Sequence, residues 1–264
     1  MENLHTFVVL AYKESKYLED CIKSVLNQAY KSKVIIATST PNDYISSLAN
    51  KYSLDLKVNP DPGKGIGYDF DFALNVANTT LATIAHQDDL YDYEYSLKMV
   101  EAYLKNPNAL IIFPDYYEIR NEIKVKTNLN LKIKRFLLTF QKIGFAKRTK
   151  FVKRSAIAFG NSICCPSVCF VKSNIPFTDY FSCDLSCDID WYAWERLSKQ
   201  KGSFVFVNRQ LMGHRIHCES TTTEIIGESI RTKEDLIILK KFWPLLVAKA
   251  INRFYKKSEK SNEI

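Results

Sequence analysis

His86-Gln87-Asp88-Asp89-Leu90-Tyr91-Asp92-Tyr93 follows the apolar run Thr83-Ile84-Ala85 and precedes a helical pattern that begins near Glu94. The run reads as a buried strand, so Asp88 and Asp89 sit together at a strand end. Such a pair is costly, because like charges repel and raise each other's pKa. The cost falls where a divalent cation bridges the carboxylates to a polyphosphate, since hard cations prefer oxygen ligands. A solvated acidic turn explains the same eight residues without any ligand. The neighbouring sequence shifts the balance toward the first reading.

Upstream, Thr6-Phe7-Val8-Val9-Leu10-Ala11 is β-branched and aromatic, as a buried first strand requires. A helix follows, with Ser15 as its expected N-cap and Tyr17, Leu18, Cys21, Ile22, Val25 and Leu26 on one face. Lys33 to Thr38 reads as a second strand, Tyr44 to Tyr52 as a helix and Leu54 to Val58 as a third strand. After a Pro/Gly loop come a helix from Tyr68 to Ala77, the strand Leu81 to Ala85 and a helix from Leu97 to Leu104, stopped at Asn106-Pro107-Asn108. Ala109 to Phe113 is a further strand. This alternation predicts a Rossmann-like α/β fold: a mostly parallel central sheet with helices on both faces. Ligands of such sheets bind beyond the carboxyl ends of the strands, where His86-Gln87-Asp88-Asp89 falls.

The second half is less regular. Leu131 to Phe145 reads as a basic amphipathic helix, Val168 to Val171 and Ser203 to Val207 as strands. Asp235 to Tyr255 reads as a long helix interrupted at Pro244, a C-terminal helical extension.

With 264 residues and a net charge of +8, the chain is long enough for a full core. No window approaches the ~18 uncharged apolar residues of a membrane span. Met-Glu-Asn-Leu-His lacks the basic and apolar regions of a secretory leader, so a cytoplasmic protein is expected. Its seven cysteines are then expected as thiols. Cys165, Cys169, Cys183, Cys187 and His217 offer a zinc reading, but their three-residue gaps suit a metal knuckle poorly. Twelve Lys or Arg lie between Arg120 and Arg154, against Glu122 alone. That stretch suits anionic lipid headgroups or a phosphate-bearing acceptor; no nucleic-acid motif accompanies it.

A dinucleotide site needs Gly-x-Gly-x-x-Gly after the first strand, where this chain has Ala11-Tyr12-Lys13-Glu14-Ser15. Gly63, Gly65 and Gly67 come later, with the spacing of neither that motif nor a P-loop, and read as a turn near the ligand.

Taken together, the chain resembles the family 2 glycosyltransferases of the GT-A fold. Phe7-Val8-Val9-Leu10-Ala11-Tyr12-Lys13-Glu14 is similar to the family's first strand, and Tyr17 to Gln28 to its first helix. Ala73 and Asn75 resemble the Ala-Arg-Asn before the metal-binding strand, and His86-Gln87-Asp88-Asp89 stands at the Asp-x-Asp metal motif. Asp188-Ile189-Asp190-Trp191 looks like the segment that carries the base, and His214-Arg215-Ile216-His217 with Ser220 like the late His element. The resemblance spans roughly residues 5 to 222. It divides the chain into a nucleotide-sugar-binding half (1–115), an acceptor-binding and catalytic half (116–222) and a basic amphipathic tail (223–264).

The resemblance implies an inverting, metal-assisted enzyme taking a nucleotide-diphosphate sugar as donor and a glycan or lipid-linked acceptor, in surface or cell-wall polysaccharide synthesis. Asp88 would bind a divalent cation, Mn2+ or Mg2+, with Asp89 and His217 as further candidates. Ala11, Tyr12, Glu14, Thr38, Lys64, His86 and Gln87 would line the donor. Asp190 is the expected base and Asp188 its rival, with Asn161, Trp191 and Trp194 on the acceptor side. Three positions depart from the family pattern: Thr38-Ser39 replaces an Asp, His86 replaces the first Asp of the metal motif, and Leu74 replaces an Arg. A silent sugar-nucleotide binder and a nucleotidyltransferase remain as alternatives. The C-terminal helix either packs on the core or lies in a membrane interface with Trp243 at headgroup level.

Overall fold

The structure, a computed structural model, describes residues 3–142, 149–217 and 228–260. Its first half is a parallel sheet. Strands β1 (His5–Ala11), β2 (Lys33–Thr38), β3 (Asp55–Val58) and β4 (Leu81–His86) lie in the order β3-β2-β1-β4. Each neighbouring pair is parallel. Helices α1 (Leu18–Leu26), α2 (Asp43–Lys51), α3 (Ile66–Val76) and α4 (Tyr95–Lys105) connect and cover them. Along β1 the side chains alternate: Phe7, Val9 and Ala11 pack with α1, α2 and α4, while Val8 packs with α3 on the other face. Both faces are covered, which is why the strand reads as a continuous apolar run.

Beyond β4 the sheet is mixed. β5 (Leu90–Tyr91) is a short strand directly after the Asp88-Asp89 pair. β6 (Ala109–Arg120), β7 (Ile123–Val125), β8 (Cys169–Val171) and β9 (Ser203–Ile216) complete the path β4-β8-β6-β9-β5, with β7 paired to the last residues of β6, beyond β8. β8 is antiparallel to both neighbours, β6 and β9 are parallel, and β5 is antiparallel to β9. β6 and β9 run well past their expected ends at Phe113 and Val207. Their pairing shifts register around Pro114 and Asp115, and such an irregularity lets a strand continue beyond a proline.

The remaining helices are α5 (Leu129–Leu137), α6 (Lys150–Ser155), α7 (Ile189–Ser198), α8 (Glu228–Leu239) and α9 (Leu245–Lys260). The helix expected from Leu131 to Phe145 starts earlier, where the Asn128 side chain accepts from Leu131 N at 2.8 Å, and gives way to a 3-10 turn at Thr139–Lys142. The rest of that expected helix lies outside the described residues, as do Ser220 and the 222/223 boundary. The long C-terminal helix is two helices, separated at Pro244. Both pack on the core: Ile238, Leu239 and Ala248 are fully buried in the cluster that holds α3 and α7. Trp243 is a packing residue, not a headgroup anchor. Its Nε1 donates to Ala158 O at 2.7 Å and its ring lies against Phe159.

The six described cysteines are free thiols. Among the described residues no group of three or more His, Cys, Asp and Glu is placed to hold a metal, which removes the zinc reading.

Candidate active site

β1 and β4 end side by side, Leu10 opposite His86, so Ala11-Tyr12 and Gln87-Asp88-Asp89 leave the sheet together. Gln87 fastens the two turns: its Oε1 accepts from Tyr12 N at 2.9 Å and its Nε2 donates to Tyr12 O at 3.1 Å. Ser15 was expected to cap α1. Instead the helix begins at Leu18 with no side-chain cap, and the Ser15 hydroxyl donates to Asp88 Oδ1 at 3.0 Å. Asp88 Oδ2 faces His217 Nε2 at 3.3 Å, and the His217 ring packs on Tyr17.

Asp89 is buried. Its Oδ1 accepts from Arg215 N at 2.9 Å and pairs with His214 Nδ1 at 3.0 Å. Burial alone would push His214 down, yet the Asp89 carboxylate holds its pKa above the ordinary value. Arg215 donates from Nε to Asp88 O at 2.9 Å, pairs with Glu122 and stacks over Tyr17. Strand β9 therefore delivers His214, Arg215 and His217 to the acidic turn. This explains how two adjacent carboxylates are tolerated at one strand end. Asp89 works as the anchor of β9, and Asp88 is the more open of the two.

The donor-side candidates divide. Tyr12 is exposed, Ala11 is buried under it and Glu14 is exposed on the same turn. Thr38 is buried, and its hydroxyl accepts from Thr40 N, so its side chain holds the turn rather than facing a ligand. Lys64 pairs with Asp61 at 3.1 Å on the glycine loop. His86 stands edge-on to Phe70 with Nε2 buried and unpartnered, and burial lowers its pKa, which keeps the imidazole neutral. One residue went unread in the sequence. Asp69, in the first turn of α3, accepts from Ser39 Oγ at 2.9 Å and from Asn59 Nδ2 at 2.8 Å. It brings a carboxylate behind the strand end where Thr38-Ser39 has none.

The second acidic centre lies at the start of α7. Asp190 Oδ1 accepts from Trp191 N and Oδ2 from Asn161 Nδ2, both at 2.7 Å. Burial raises its pKa, and these donors together with the Lys134 and Arg231 charges moderate the rise. Asp188, at the N-cap position, is 5% exposed and lies against Asp235 of α8. Burial, Asp235 and Asp190 all push it well above the usual carboxyl range. Asp188 is thus engaged with Asp235, whereas Asp190 is held by Asn161 and Trp191 N. Glu234 of α8 accepts backbone N–H bonds from Ser186, Cys187 and Asp188 at 2.7 to 3.1 Å, tying the α7 start to the tail. Trp191 and Trp194 do not line an acceptor pocket. Both are fully buried, Trp191 Nε1 donating to Ile157 O and Trp194 packing on Phe170 and Phe181.

Asp188 carries a stability consequence. A carboxyl whose folded pKa is raised makes the folded chain bind more protons than the unfolded one above about pH 4, so stability falls as pH rises from there. Asp188→Asn is expected to flatten the fall of Tm between about pH 5 and about pH 9. An unchanged slope in thermal denaturation would contradict this placement of the proton.

In the Cys164-Cys165-Pro166 turn Cys164 is buried and Cys165 half-buried, and burial first, then the Asp89 and Asp190 charges, push both thiols well above their usual range. Asp89 Oδ2 and Asn161 Oδ1 are buried without a hydrogen-bond partner. Asp88 Oδ2 and His217 Nε2 are the two side-chain atoms here that could hold a divalent cation.

The glycosyl transferase family 2 model matches residues 6–169. No curated protein sequence matches the chain significantly. Among solved structures, Staphylococcus aureus TarS 1-349 in complex with UDP-GlcNAc superposes with a TM-score of 0.66 at 13% identity, covering 94% of this chain and 70% of that one. The mannosyltransferase PcManGT from Pyrobaculum calidifontis, in complex with GDP-Man and Mn2+, gives 0.60 at 13% identity, covering 96% and 70%. At these identities the likeness is one of fold.

Proposed function

The chain belongs to glycosyl transferase family 2, and we propose that it moves a sugar from a nucleoside-diphosphate donor to an acceptor hydroxyl, with inversion at the anomeric carbon. The observation that carries this is the pair of acidic centres at the carboxyl end of one sheet. Asp88 is open beside His217, and Asp190 is held with raised proton affinity.

The donor lies along the Ala11-Tyr12 turn, with its diphosphate toward Asp88 and His217. The structural relatives bound to UDP-GlcNAc and to GDP-Man support a nucleotide sugar as donor class. Ser39 donates its proton to Asp69, which leaves the hydroxyl oxygen as an acceptor for an N–H of the base. Asp88 and His217 would hold a divalent cation, which when bound neutralises charge growing on the leaving diphosphate. Asp190 takes the acceptor proton as the acceptor oxygen attacks the anomeric carbon. The new C–O bond forms as the bond to the diphosphate breaks, and the proton passes from Asp190 to solvent. Asn161 and Trp191 N fix the Asp190 carboxylate, so its geometry is set before substrate arrives. The acceptor is a glycan or a lipid-linked glycan of a surface or cell-wall polysaccharide.

Thermal denaturation with nucleoside diphosphates, in Mn2+ and in chelator, tests the donor site. A ligand at ~100 times its Kd adds close to 3 kcal/mol of stability. The expected result is metal-dependent stabilisation by UDP or GDP. Stabilisation by a triphosphate alone would favour nucleotidyl transfer instead.

A further inference from the structure

Helix α5 has two faces of opposite character. On its inner side Leu131 enters the core and Lys134 reaches Tyr116 Oη at 3.0 Å. On its outer side Leu129, Ile133 and Phe136 recur at the spacing that aligns residues on a helix, and all three are exposed. Phe140 continues the stripe, and its ring meets Phe151 of α6 at 6.4 Å. Phe136 is 76% exposed and Phe151 72%. Single exposed apolar residues are ordinary. Three on one helix face, with the exposed Phe140–Phe151 ring pair beyond its end, mark a docking surface.

The charge around this stripe identifies its partner. Lys132, Lys142 and Lys150 are exposed along it. The stretch from Arg120 to Arg154 has Glu122 as its one acid, and that carboxylate already pairs with Arg215. Two such faces repel each other, which argues against a second copy of the chain. A cation-rimmed apolar helix face instead matches a surface that is anionic outside and apolar beneath. Helix α9 adds a similar face: Leu246 and Phe254 are exposed together with Lys249 and Arg253. Tyr255, on the inner side of α9, packs on Trp191 of α7. No helix among the described residues is long and apolar enough to cross a membrane, so this face lies on a bilayer rather than spanning it.

We infer that the α5–Phe140–Phe151 face docks on an anionic lipid bilayer, with the phenyl rings in the acyl boundary and the lysines among headgroups. The contact stands apart from the transfer reaction.

Co-sedimentation of the full chain with vesicles, without donor or acceptor, tests this. The vesicles are phosphatidylcholine alone, or with roughly a third phosphatidylglycerol. Binding is expected to the anionic vesicles and to weaken between about 0.1 and about 0.5 M salt. The double variant Phe136→Ser/Phe151→Ser is expected to lose roughly tenfold or more of that binding. Its Tm and its turnover of soluble donor stay unchanged. Lys132→Glu/Lys150→Glu lowers the binding independently. Equal binding of wild type and the phenylalanine variant, or no preference for phosphatidylglycerol, overturns the inference. So does a dimer in sedimentation velocity that the phenylalanine variant dissolves.

Discussion

Asp190→Asn is expected to reduce sugar transfer by ~10³-fold, within the range for losing a positioned general base. The amide keeps the volume of the side chain and its contact with Trp191 N, but it cannot accept the acceptor proton. Nucleotide affinity is expected to change by less than about twofold, because Asp190 lies at the start of α7 and not on the Tyr12 turn. Steady-state kinetics with a direct nucleotide-binding titration separates the two effects. A large loss of affinity with near-normal turnover of the bound donor would contradict the assignment. Asp188→Asn provides the contrast. Its proton-holding carboxyl against Asp235 acts through the α7 start, so its replacement should cost far less activity than that of Asp190.

Asp88→Ala is expected to remove metal-dependent donor binding and most of the turnover. On the proposed reading the variant deletes an oxygen ligand of the cation and leaves His217 without the carboxylate it faces. A bound cation contributes several kcal/mol to such a step, and on the order of 4 kcal/mol corresponds to about 10³ in rate. The fold should survive, because Asp88 is partly exposed and the Asp89 carboxylate that anchors β9 is untouched. Titration of Mn2+ in the presence of nucleotide, followed by calorimetry, measures the effect. Unchanged Mn2+ dependence would place the ligand elsewhere. Asp89→Ala should behave differently: it leaves Arg215 N and His214 without their acceptor and is expected to lower Tm first.

The parallel half of the fold is legible because local pattern and tertiary role agree there. β1 reads as a buried run and is covered on both faces, and α1 shows one apolar stripe and buries it. The family match over residues 6–169 includes this half. Legibility drops where pairing between distant residues decides the structure. Asn208, Arg209 and Gln210 interrupt the hydropathy of β9, yet the strand continues to Ile216 because β6 runs alongside it. Ser15 reads as a helix cap because serine is favoured there, but the nearby Asp88 carboxylate is the stronger partner for its hydroxyl. Trp191 and Trp194 flank Asp190 in sequence, yet both side chains are buried in the core. Glu234 and Asp235 lie more than forty positions from Asp188, so no local pattern reveals that the tail holds the α7 start. Asp69 left one sign in the sequence, an acid in the first turn of a helix that follows a glycine loop.

The central claim is turnover of a nucleotide sugar at the Asp88 and Asp190 centres. Its most direct test is release of nucleoside diphosphate from a panel of UDP- and GDP-sugars, with Mn2+ or with chelator, by wild type, Asp88→Ala and Asp190→Asn. The account predicts diphosphate release from at least one donor, dependent on the metal and lost in both variants. Release that persists in both variants, or the appearance of pyrophosphate in place of nucleoside diphosphate, would contradict it.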